Sequence, residues 1–92
     1  MTSEPARAEP RETRLKRLRM RSMRRGIREM DLILTAFATA ELDHLTEADL
    51  LIYDRLLEEN DQDLYAWVTG RAAAPEPYSD LVARIASALH RN

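Results

Sequence analysis

Arg25-Gly26-Ile27-Arg28-Glu29 is the stretch of this chain best equipped for chemistry, and its chemistry is recognition. An arginine offers a planar fork of five donors suited to carboxylates and carbonyl oxygens. The glycine beside it suits a tight turn or the close approach of another backbone. Glu29 follows one helical turn later, and Asp31 sits just beyond it. Two readings of Arg25 and Glu29 stand side by side. They can face a partner, or they can pair with each other at i, i+4 for a few tenths of a kcal/mol. Arg21 and Arg24 precede the motif and extend its charge. Asp31 points around the helix, where it can instead tie the second helix to the first.

Catalytic constellations are missing from the rest of the sequence. His44 and His90 lie in unrelated contexts, one in a turn and one near a helix end, without metal-ligand spacing. No glycine-rich phosphate loop or nucleophile elbow occurs. Asp61 and Asp63, beside Glu58 and Glu59, fail the calcium-loop pattern, because Tyr65 and Ala66 fill its next ligand and glycine positions. The expectation is a non-enzyme with no metal and no cofactor of its own. Trp67 and Tyr65 read as core or half-buried residues.

Charge is divided sharply along the chain. Residues 1–28 carry ten Lys/Arg against three Glu, and residues 29–92 carry four Arg against thirteen Asp/Glu. The net charge of −2 therefore conceals a strongly dipolar protein, a property that bears on partners and encounter rates. Eight cations fall between Arg14 and Arg28. A basic helix of this kind can bind phosphate backbones, but the acidic remainder opposes a nucleic-acid role. Its apolar face, Leu15, Leu18, Met20 and Met23, is thin for lying on a membrane. The plain alternative is a basic face paired with the acids of the third and fourth helices, which accounts for about half of the arginines.

The elements that must carry these residues follow from periodicity and stop signals. Ninety-two residues without cysteine make one domain, here residues 10–92, with no disulfide to staple it. Residues 1–9 read as a disordered tail. A first helix from Arg11 to about Arg24 is expected to end near Gly26 in the left-handed conformation. A second, about 27–40, carries Ile27, Met30, Ile33, Leu34 and Phe37 on one stripe. Thr46-Glu47-Ala48-Asp49 is a capping-box variant that opens a third helix, about 47–58, with Leu50, Tyr53, Leu56 and Leu57 inward. Asn60 or Asp61 caps a fourth helix bearing Leu64, Trp67 and Val68, and Gly70 ends it. Pro75 and Pro77 break the chain before a last helix striped by Leu81, Ile85 and Leu89. The fold class is all-α, a small bundle of about five short helices. No apolar run approaches the ~20 residues of a bilayer span, and no secretory signal is read at the N-terminus, so a cytoplasmic setting is expected.

Arg25-Gly26-x-x-Glu29 with Asp31 resembles the RGxxE motif of the SdhE family, small assembly factors for the flavoprotein subunit of succinate dehydrogenase. The resemblance continues through Tyr53-Asp54-Arg55-Leu56-Leu57-Glu58-Glu59 and Asp61-Gln62-Asp63-Leu64-Tyr65-Ala66-Trp67, and covers roughly residues 14–90. It implies a helical protein that binds that subunit and promotes covalent attachment of FAD to one of its histidines. Fumarate reductase flavoproteins would be related clients. FAD and the reacting groups would belong to the client, and the free protein is expected to be a monomer. The resemblance tips Arg25, Gly26 and Glu29, with Arg24, Arg21 and Asp31 behind them, toward a partner interface. A small helical regulator such as an antitoxin is the alternative from another class.

Overall fold

The computed structural model describes residues 9–90, so the expected tail over residues 1–8 lies outside the described residues. Among the described residues five α-helices follow one another: α1 (Arg11–Arg21), α2 (Arg28–Glu41), α3 (Glu47–Leu56), α4 (Asp61–Val68) and α5 (Ser79–Leu89). A single 3₁₀ turn, Leu42–His44, joins α2 to α3. Among the described residues there is no strand, and the all-α architecture is the one the periodicity implies.

The central element is α2, which packs against α1, α4 and α5. Its stripe of Met30, Leu34, Phe37 and Ala38 is buried, while Ile27 and Ile33 are partly covered. Facing it, α3 contributes Leu50, Tyr53 and Leu56, α4 contributes Leu64 and Val68, and α5 contributes Leu81, Val82 and Ile85. The Phe37 and Tyr53 rings meet at a centroid distance of 5.8 Å. Each fully buried aliphatic side chain of this kind stabilises by roughly 1.5–3 kcal/mol. The expected apolar stripe of α5 is wrong at its end. Leu89 is 41% exposed, and Val82 takes its place in the core. Leu81, Val82 and Ile85 keep helical i, i+1, i+4 spacing, so the buried face turns slightly around the helix.

Helix ends obey local chemistry. Thr46 Oγ1 accepts from the Asp49 N–H at 3.1 Å, and Asn60 Oδ1 accepts from the Gln62 N–H at 2.8 Å. Each satisfies one of the donors a helix start leaves unpaired. Asn60 is thus the cap of α4, which leaves Asp61 free for another use. Gly70, with φ +82°, closes α4 as expected. The end of α1 differs from the expectation. The helix stops at Arg21, Arg24 takes the left-handed conformation with φ +57°, and Gly26 has no positive φ. Glu9, which the sequence reading assigned to the tail, is held by Arg17 at 2.8 Å and by Arg14 at 3.4 Å.

Candidate docking site at the Arg25–Gly26 corner

The corner between α1 and α2 is built on a buried hydroxyl pair. Ser22 is fully buried, donates from Oγ to the Leu18 carbonyl at 2.8 Å, and shares a 2.6 Å hydrogen bond with the Tyr53 hydroxyl. Burial pushes the Tyr53 phenol up to about 12, against the opposing influence of the Ser22 hydroxyl and the Arg25 charge. The turn is therefore anchored to α3 before the motif begins.

Arg25 comes next, and its fork is already occupied within the chain. Nε donates to Asp61 Oδ1 at 2.9 Å, Nη1 to the Arg21 carbonyl at 3.0 Å and Nη2 to the Leu57 carbonyl at 3.1 Å. Nη2 also lies 2.8 Å from Asp61 Oδ1, and the two side chains are only 10% and 17% exposed. The second carboxylate oxygen of Asp61 accepts the Gly26 N–H at 2.7 Å. One carboxylate thus clamps two consecutive residues of the motif. Within this chain the fork expected to face a partner is turned onto these acceptors. The alternative of an Arg25–Glu29 pair is overturned, since Asp61 takes the arginine.

This clamp explains the glycine. A Cβ added at Gly26 would stand 3.1 Å from Asp61 Oδ2, tighter than most such contacts, so the carboxylate would have to give way. Close approach, rather than a left-handed φ, makes glycine the fitting residue here. The left-handed position belongs to Arg24, where a non-glycine residue costs ~1–2 kcal/mol. Asp31 helps to hold it there, because its Oδ2 accepts the Arg24 N–H at 2.8 Å while Oδ1 accepts from Thr35 Oγ1 at 3.2 Å. Asp31 therefore ties α2 to the preceding turn, as one sequence reading had it.

The arginines of α1 pair with acids in a regular register. Arg11 and Arg14 reach Glu47, Arg17 and Arg21 reach Asp54, and Arg21 also reaches Glu58. Arg11–Glu47, Arg17–Asp54, Arg21–Glu58 and Arg25–Asp61 keep separations of 36, 37, 37 and 36 residues. A constant offset means that α1 runs alongside the α3–α4 segment in the same direction. Of the eight cations between Arg14 and Arg28, five have acidic partners, counting Arg19 with Asp43. Hydrogen bonds to Glu9 and then Asp54 raise the Arg17 guanidinium above its ordinary value, and Arg17 in turn lowers the Glu9 carboxyl. Of the acids near Asp61, Glu58 is a counterion of Arg21, and Glu59 accepts from the Tyr78 hydroxyl at 2.9 Å.

The six expected site residues accordingly divide. Arg21, Arg25 and Asp31 are engaged inside the fold, whereas Arg24, Gly26 and Glu29 are exposed at the same corner. Asp61 was missed as a site residue because its sequence context reads as a helix cap. The constant offset between the basic and acidic rows is the signal that could have found it. Trp67 is half-buried and stacks on Tyr78 with centroids 5.9 Å apart, in keeping with its expected core role. Among the described residues, no helix is long and apolar enough to cross a membrane.

Comparison with known proteins places this corner in a family. Residues 16–89 match the family model described as the flavinator of succinate dehydrogenase. A relative in Mycosarcoma maydis, named mitochondrial succinate dehydrogenase assembly factor 2, is 44% identical over 68 residues, 74% of this chain and 29% of its own length. A Meyerozyma guilliermondii protein of the same name is 49% identical over 61 residues, 66% and 45% of the two chains. The FAD assembly factor SdhE of Legionella pneumophila (strain Lens) is 46% identical over 59 residues, 64% and 71% of the two chains. The chain thus spans less than half the length of the two mitochondrial relatives. With most of its helical domain inside the matched region, the Arg25–Gly26 corner included, the chain belongs to the SdhE family of succinate dehydrogenase flavinators.

Proposed function

We propose that this chain is an assembly factor that binds the flavoprotein subunit of succinate dehydrogenase and promotes covalent FAD attachment to it. The observation that carries the reading is the Asp61 clamp on Arg25 and Gly26. It fixes the corner before any partner arrives, so the exposed Gly26 backbone, Arg24 and Glu29 are held in one arrangement. Preorganisation of this kind lowers the ordering cost of association. Arg25, Arg21 and Asp31 then act as positioning residues behind the docking surface. Membership of the flavinator family supports the choice of client. Fumarate reductase flavoproteins are proposed as further clients, and the cytoplasm as the setting.

The chemistry in this reading belongs to the client, which supplies the flavin and the histidine that receives it. This chain contributes binding energy. By holding the client in the conformation where its own groups meet, it shifts a population and shortens the search for reactive geometry. Neither step asks for a nucleophile or an acid–base pair on the helical domain.

The test is to express the client subunit with and without this protein, denature it, and measure the flavin fluorescence that stays with the polypeptide. Labelling should rise with the parent chain. Glu29→Ala should lower it by roughly tenfold, as expected for a central interface residue, with unchanged circular dichroism. Equal labelling with and without the protein would sink the proposal.

A further inference from the structure

The two long faces of α1 differ in more than exposure. Arg14, Arg17 and Arg21 occupy one face at i, i+3, i+7 and meet acids of α3 and its following turn. Lys16 and Met20 lie one turn apart on the face of α1 turned away from the buried Leu18, Met23 follows in the bend just past the helix end, and Met20 and Met23 are 67% and 45% exposed. Arg24 follows directly. Arg28 shares a side of α2 with Asp31 and Thr35, the residues that grip the Arg24 turn. Among the described residues, no carboxylate closes an ion pair with Lys16, Arg24 or Arg28, and Glu12, one turn before Lys16, leaves it unpaired.

Exposed methionines alone signify little, since lone apolar residues are common on surfaces. Arg24 adds an independent observation. An arginine stands where the backbone, at φ +57°, would be relaxed with glycine, and the Asp31 carboxylate helps to hold that conformation. Strain of this sort persists where the surroundings over-determine it, and it gathers at ligand clamps. Here it fixes the direction in which an exposed, uncompensated guanidinium leaves the chain.

We infer that Met20, Met23 and Arg24, flanked by Lys16 and Arg28, form a docking surface for an acidic protein patch with an apolar centre. The inference rests on the assembly-factor reading, which makes the flavoprotein subunit the bearer of that patch. Adaptable thioethers fill an irregular apolar centre, and unpaired cations match carboxylates around it while steering the encounter. The apolar area is too small for a membrane-surface helix. The acidic row of residues 29–92 repels a nucleic-acid backbone.

The experiment measures binding of the full chain to the purified flavoprotein subunit by calorimetry, across a salt series. The variants are Arg24→Gly and the double variant Met20→Ser, Met23→Ser. Arg24→Gly should melt no lower than the parent, yet bind roughly tenfold more weakly and with a shallower salt dependence. The methionine variant should weaken binding with unchanged helicity. Parent-like affinity in both variants would overturn this surface while leaving the assembly-factor reading intact. A parent chain that binds no flavoprotein subunit would overturn that reading and this inference with it. Binding of the parent to anionic vesicles or duplex RNA, weakened by the same variants, would reassign the face and overturn the protein partner.

Discussion

Helices α1 and α5 are both eleven residues long, and they are fastened to the bundle in opposite ways. The α5 helix buries Leu81, Val82 and Ile85 against α2, α3 and α4. The α1 helix buries Leu18 fully and Leu15 in part, and a row of arginines reaching toward carboxylates adds to this. Burial of apolar area is non-directional and tolerant of small shifts. Ion pairs and the Ser22–Tyr53 hydrogen bond demand register, so α1 gives up holding strength for placement. That division suits a domain in which α5 secures the fold while α1 and its corner present a surface.

Three perturbations test whether α1 and α5 are fastened by different means. Ile85→Ala should cost the most, ~3 kcal/mol, because it removes a fully buried side chain and leaves a partial cavity. Urea unfolding should show a lower midpoint with little change in slope. Asp61→Ala should cost about 2 kcal/mol, since it leaves the Arg25 guanidinium and the Gly26 N–H without their acceptor. The residual exposure of both partners keeps that figure below the fully buried case. Client labelling should fall along with it, and normal labelling would show that the clamp does not organise the docking surface. The smallest effect is that of salt. Near ~1 M salt the screening length shrinks to ~3 Å, and each exposed pair is worth at most ~1 kcal/mol. Amide hydrogens of α1 should then exchange faster while those of α5 hardly change. Equal loss of protection in both helices would mean that the two are not separately fastened.

Much of the fold was legible in the sequence. The stripes of α2 and α3, the Thr46 cap and the Gly70 stop depend on spacing and local chemistry, and the structure keeps them. The end of α1 was less legible. Gly26 looked like a helix stop because glycine tolerates a left-handed turn. In the folded chain its small size matters for a different reason, the 3.1 Å approach of Asp61 to the place a Cβ would occupy. Leu89 continued a helical stripe by spacing alone and still emerged from the core. Periodicity identifies a face but not how far a neighbouring helix covers it.

The helical elements, the division between a basic start and an acidic remainder, and the motif that singles out one corner are all written in the amino-acid order. Each of these rests on residues near one another in the chain, where spacing and propensity act directly. Which charges are spent within the fold and which stay exposed depends on how the helices pack. Arg25 and Arg24 are adjacent and carry the same charge. One is sealed against Asp61 and two carbonyls, and the other stands exposed in a left-handed turn. The difference comes from a carboxylate 36 residues away, whose reach is fixed by the packing of α4 and not by any local preference of the arginines.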